Sequence, residues 1–183
     1  MDNTAYLRYL SGDDGAFEEI VTEYRDGLML YICSFVGNIH LAEEVCEDVL
    51  VKLAVRKPRF RENASFKTWL YTVGRNEALS HLRRVARRRE MPFEAAEGAI
   101  CERENLERKL LLDEQRAAVH SALRLLKAEY RDVLSLVYIE GFSNKEAARI
   151  MRKSARQIEN LLYRAKRALK NTLTEEGFVY EEL

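Results

Sequence analysis

Along most of the chain, apolar residues return every third or fourth position while alternating runs of Val, Ile and Thr are absent, so the pattern predicts helix nearly throughout. From Asp14 onward, Phe17, Ile20, Val21, Tyr24, Leu28, Tyr31, Ile32 and Phe35 keep one stripe as far as Gly37. Leu41, Val45, Val49 and Leu53 mark a second helix from Leu41 to about Arg56, and Pro58 stops it. Ser65 is placed to cap a third, in which Phe66, Trp69, Leu70 and Val73 face inward before the basic run that ends at Arg89. The stretch "EMPFEAAEGAIC" that follows holds a proline, small residues and no stripe, and reads as a linker. Helix resumes with Leu106, Leu110 and Leu111, continues through Val119, Leu123 and Leu126, and breaks near Lys127; Tyr130, Val133, Leu134, Val137 and Tyr138 form the next element.

After Gly141 comes "FSNKEAARIMRKSARQIENLLYRAKRAL", which contains Ser143-x-x-Glu146 and Ser154-x-x-Gln157. Each is a capping box: the Ser hydroxyl accepts from the amide three residues on, and the Glu or Gln reaches back to the Ser amide. Two amphipathic helices joined by Arg152-Lys153 follow, with Ala147, Ile150 and Met151 on the inner face of the first. Ile158, Leu161, Leu162, Ala165 and Leu169 line the inner face of the second, and so short a joint suits a helix-turn-helix. Opposite that stripe stand Arg156, Asn160, Tyr163, Arg164 and Arg167. Arg pairs two hydrogen bonds with guanine and Asn with adenine, while Lys145, Arg149, Lys153 and Lys170 are placed to hold phosphates. The plainer reading of the same residues is a solvated basic face on a helical hairpin.

Overall charge is balanced at thirty Lys and Arg against thirty Asp and Glu, which excludes uniform coating of nucleic acid, but the distribution is uneven. Residues 1–55 carry three basic and eleven acidic side chains, 56–89 eleven and two, 90–114 three and eight, and 144–170 nine and two. Two separate regions are therefore suited to phosphate, and the first acidic block to a basic partner. Cys33, Cys46 and Cys101 are scattered and odd in number, so buried free thiols are expected, with neither a disulfide framework nor a zinc site. The apolar run "LMLYICSFV" is too short to span a bilayer and no leader opens the sequence, which predicts a cytoplasmic protein. His40, His81 and His120 are isolated and no Gly-rich phosphate loop occurs, so neither catalysis nor a cofactor is expected.

Taken together, these residues resemble a bacterial RNA polymerase sigma factor of the sigma-70 superfamily, of the small extracytoplasmic-function type, over nearly the whole chain. "RFRENASFKTWLYTVGRNEALSHLRR" resembles the promoter-melting region, and "EYRDVLSLVYIEGFSNKEAARIM" with the helix after it resembles the part that binds the upstream promoter element. The resemblance implies an all-α protein of two helical domains on a flexible linker. Residues 1–89 would form the region 2-like domain, 90–112 the linker, 113–175 the region 4-like domain, and 176–183 an acidic tail. Its partners would be core RNA polymerase, through the beta-prime coiled coil and the beta flap, promoter DNA, and an anti-sigma factor through which alone it would meet a membrane. No small-molecule substrate is implied.

By the same resemblance Glu43, Glu44, Glu47 and Asp48 form the docking face for the beta-prime coiled coil, whose basic charge they complement. The loop from Arg61 to Ser65, flanked by Phe60 and Phe66 and including Asn63, captures a flipped base above Asn76, while Lys67, Arg75, Arg83 and Arg84 track the strand. Trp69 sits in the Phe66/Leu70/Val73 stripe and is expected to pack in the core. Arg156, Asn160, Tyr163 and Arg164 carry over to the upstream element, although Glu159, Leu161 and the Arg152-Lys153 turn depart from the usual family pattern. Two rivals stand beside this reading: a conventional dimeric helix-turn-helix regulator, and a helical adaptor that never touches DNA.

Overall fold

The computed structural model describes residues 3–58, 65–89 and 122–175, and in them every regular element is helical. The expected linker and acidic tail, and the loop residues Phe60, Arg61 and Asn63, lie outside the described residues. Four helices, α1 (Thr4–Leu10), α2 (Gly15–Val36), α3 (Ile39–Arg56) and α4 (Phe66–Arg89), build the first unit. After a short helical turn at 122–125, α5 (Ala128–Leu134) runs into a π-helical turn (Ser135–Ile139), and α6 (Asn144–Met151) and α7 (Ala155–Glu175) complete the second.

Local chemistry sets the boundaries. Gly37 ends α2 in the left-handed conformation at φ 71°, and Asn38 caps α3 directly after it, its side chain accepting from the Leu41 amide. Lys57, at φ 39°, closes α3 just before Pro58. Ser65 begins α4, its hydroxyl accepting from the Thr68 amide at 3.2 Å. Both capping boxes are formed: the Ser143 hydroxyl and Glu146 exchange bonds with each other's amides, as do Ser154 and Gln157. Between them Arg152 takes φ 54°, so an arginine makes the left-handed turn of the helix-turn-helix.

The core of the first unit is aromatic. Tyr6, Tyr24, Tyr31, Phe66 and Tyr71 are buried, and Trp69 packs half-buried against Tyr6 and Phe66, the core role expected of it. Helix α1 was not legible in the pattern, yet it supplies Tyr6 and Tyr9, whose hydroxyls donate to the carbonyls of Pro58 and Ala54 and tie it to the end of α3. Gly74 lets α2 and α4 approach: a Cβ there would sit 2.7 Å from Leu28 Cδ1, so a side chain would force Leu28 to repack.

Two expectations are corrected. Cys33 is disulfide-bonded, so the reading of three free thiols fails there. Among the described residues Cys46 is a free, buried cysteine, and burial pushes its thiol up to about 11. The stripe assigned to Tyr130 through Tyr138 ends early: the π turn shifts the helical phase, and Tyr138 emerges 56% exposed. The two expected helical domains are both present and touch each other: α6 packs on α4, α5 on α2, and their apolar residues join one continuous core.

The first capping box gives a testable energy. Partial burial raises the Glu146 carboxyl, but bonds from the Ser143 hydroxyl and amide, with Thr68 and Ser65, outweigh that and hold it below 4.5. Ser143→Ala is expected to cost about 1 kcal/mol, read as a fall of about 2–4 °C in Tm. A lowered carboxylate stabilises the fold above its unfolded value and loses that contribution as pH falls through the folded one. The gap in Tm between wild type and variant should therefore narrow once the pH drops below 4.5.

Candidate nucleic-acid and polymerase interface

The second unit builds its reading face by turning one side of α7 inward. Ile158, Leu161, Leu162, Ala165 and Leu173 are buried, against α5 and α6, and Leu161 is thereby a packing residue. Arg156, Asn160, Tyr163, Arg164 and Arg167 all project to solvent on the opposite side, Tyr163 with 71% of its surface exposed. Glu159 is exposed beside them. Lys145 and Arg149 are exposed on α6, and Lys153 lies in the turn, held to Glu129 at 2.6 Å. The five α7 residues expected to share a face are all exposed on the side away from the buried stripe.

On α3, Glu44, Glu47 and Asp48 are exposed together, while Glu43 is half-buried and accepts from Arg25 at 2.9 Å. The acidic patch is real, with Glu43 partly neutralised from α2.

The α4 residues divide. Arg83 and Arg84 lie on its exposed side and Asn76 is half-buried. Lys67 and Arg75 point at the second unit. The Lys67 ammonium donates to the Glu140 carbonyl at 2.6 Å and lies 4.8 Å from the centre of the Phe142 ring. Arg75 Nε donates to Asp132 Oδ2 at 3.0 Å, and the Tyr31 hydroxyl donates to Asp132 Oδ1 at 2.8 Å. Burial pushes the Asp132 carboxyl upward, with Arg75 and the two hydrogen bonds pulling against it. Burial likewise raises the Tyr31 and Tyr71 hydroxyls, reinforced by Asp132 and Glu140 respectively, so both stay protonated donors. Asp132 and Glu140 carry no motif or spacing signal in the sequence, and only the fold sets them against α4. Phe66, expected at the rim of the base-capturing loop, is only 1% exposed and belongs to the core.

A helix-turn-helix with an open polar face, attached to a helical unit with an acidic patch and a basic helix, has the architecture of a helix-turn-helix transcription factor. Comparison with known proteins gives the family. Sigma-70 region 2 matches residues 20–89 and Sigma-70 region 4 matches residues 116–169. The RNA polymerase sigma-H factor of Pseudomonas aeruginosa is 30% identical over 182 residues, covering 94% of this chain and 93% of that one. The ECF RNA polymerase sigma-E factor of Escherichia coli K12 is 27% identical over 181 residues, covering 93% of each. Among solved structures, CnrH in complex with the cytosolic domain of CnrY superposes with a TM-score of 0.70 at 23% identity, over 96% of this chain and 99% of that one. The sigma factor RpoE of Bartonella quintana, in complex with the anti-sigma factor NepR, gives 0.65 at 23% identity, over 86% and 96%. The chain belongs to the sigma-70 family of RNA polymerase sigma factors, in its ECF branch.

Proposed function

We propose that the chain is a dissociable, non-catalytic specificity subunit that binds core RNA polymerase in the cytoplasm and directs it to a two-part promoter. Among the described residues no helix is long and apolar enough to cross a membrane. The observation that carries the reading is the α7 face, five polar side chains turned to solvent directly opposite a buried stripe, in a helix-turn-helix of a chain that matches a sigma factor over 94% of its length. In this reading Arg156, Asn160, Tyr163 and Arg164 contact base edges of the −35 element. Lys145, Arg149, Lys153 and Arg167 hold its phosphates. Phe60, Arg61, Asn63, Ser65 and Asn76 surround the flipped −10 base, and Lys67, Arg75, Arg83 and Arg84 follow the opened strand. Glu43, Glu44, Glu47 and Asp48 dock on the beta-prime coiled coil, and the region 4 unit meets the beta flap. Of the two solved relatives, RpoE is bound by the anti-sigma factor NepR and CnrH by the cytosolic domain of CnrY. An anti-sigma factor is accordingly proposed as the brake on this chain.

The test is reconstitution. Core polymerase supplied with the purified chain and a pooled genomic template is expected to yield new transcript starts sharing two upstream elements, absent without the chain. Tight dimeric binding to an operator without polymerase, and no new starts, would establish the conventional regulator instead.

A further inference from the structure

The exposed side of α7 carries one charge of opposite sign to its neighbours. Residues 144–170 hold nine cations and two acids. One acid, Glu146, is taken up by the first capping box, where it accepts from the Ser143 amide at 3.0 Å. The other, Glu159, is exposed in the second turn of α7 and makes no hydrogen bond or ion pair with any described residue. Helical spacing places it beside Arg156, three positions back, and Tyr163, four positions on, both of them exposed. Arg156 is a ready partner, yet no ion pair joins the two. By contrast Glu129, the exposed acid on α5, is held by Lys153 at 2.6 Å. Within residues 144–170, Glu159 is thus the acid to which the fold gives no task.

A carboxylate brought into a groove walled by phosphates costs free energy unless a donor meets it. The first residues of a recognition helix are the ones that reach base edges. There an ionised carboxylate is acceptor-only. Cytosine offers it the N4 amine, adenine an amine set beside the N7 acceptor, and guanine and thymine only acceptors. We infer that Glu159 is a specificity-determining residue, its carboxylate accepting from the N4 amine of a cytosine at one position of the −35 element and turning away guanine and thymine there. This inference rests on the reading of α7 as the −35 helix. The cations around Glu159 pull on every sequence alike, because phosphates carry no base identity. Glu159 works by exclusion as well as attraction: the right base satisfies its oxygens, and a wrong one leaves a negative charge facing acceptors. Removing that charge should therefore weaken the preferred site and strengthen the others.

The experiment uses the full chain with core polymerase on a promoter library randomised across the upstream element, and compares wild type with Glu159→Ala and Glu159→Gln. Binding of the same chains to unrelated duplex is measured beside it. Wild type should favour cytosine about tenfold over guanine or thymine at one position. Glu159→Ala should level that position, leave the preferences elsewhere in place, and bind unrelated duplex roughly twofold more tightly at low salt, the scale of one exposed charge pair. Glu159→Gln replaces the acceptor-only head with an amide that pairs with adenine N6 and N7, so the preference at that same position should move from cytosine to adenine. Glu159 is exposed, so both variants should melt with wild type. If no cytosine position is levelled by Glu159→Ala, the inference is overturned. Uniform strengthening of all sequences with the cytosine preference intact also overturns it, and makes the residue a general repellent of DNA. Asn160→Ala with Arg164→Ala, run on the same library, separates the two possible failures. Should that pair shift the preferences while the Glu159 variants do not, the role of Glu159 alone falls; should neither shift them, the −35 assignment of α7 falls with it.

Discussion

Asn160→Ala combined with Arg164→Ala is expected to lower transcription from a chain-dependent start by about thirtyfold or more, because a paired base contact is worth about 1–3 kcal/mol and two such contacts are lost. Both side chains are exposed on α7, away from the Ile158/Leu162/Ala165 stripe, so the fold should barely notice. Surface changes of this kind stay within about 0.5 kcal/mol of neutral. The signature is in the sequence dependence: the double variant should lose discrimination at two positions of the upstream element and keep its grip on unrelated DNA. Lys145→Ala should do the reverse, weakening all sequences alike and flattening the salt dependence by about one unit of slope. Start-site mapping with a library randomised across the upstream element measures both. A double variant whose preferences match the wild type across that library would remove α7 from the recognition problem.

Why this face was readable while others were not is a matter of range. The capping boxes at Ser143 and Ser154 are four-residue devices, complete in the local sequence, and they fix the phase of α6 and α7. Once the phase is fixed, the inner stripe and the outer face follow. Helix α1 escaped because it has seven residues, too few for a period to declare itself, and because its start lacks a side-chain cap. The Asn3 carboxamide that would signal one instead accepts from the Phe66 amide, 63 residues away. The same limit hid the contact between the units. Arg75 and Asp132 stand 57 residues apart, and charge pattern alone says that each wants an opposite partner without saying which. Lys67 and Arg75 were therefore legible as phosphate-seeking cations, but not as cations already engaged. Cys33 fails similarly: spacing among three scattered cysteines contains no pairing information, so only the fold distinguishes it from Cys46.

Phe66 separates a core role from a strand-binding one, and Phe66→Ala carries the largest stability effect expected of any change at the first unit's loop. Its ring stacks on Tyr6 at 4.5 Å and 19°, meets Tyr24 edge-on at 5.6 Å and touches Trp69 at 5.9 Å. Truncating a buried Phe costs about 3–5 kcal/mol, a large share of the roughly 5–15 kcal/mol that holds a domain folded. Thermal melting should show a fall in Tm of about 6–20 °C. A ring whose job is to stack on a flipped base would behave oppositely, leaving Tm unmoved and abolishing promoter opening at every temperature. The core reading instead predicts that opening by polymerase carrying Phe66→Ala is recovered on cooling, as the folded fraction returns. The reason lies in how α4 begins: the Phe66 amide is held by Asn3 and its ring by three aromatic neighbours, so this residue anchors the first turn from which Lys67 and Arg75 are presented. Its influence on DNA would then pass through the placement of that helix, and the Tm and opening defects should rise and fall together across Phe66→Leu and Phe66→Ala.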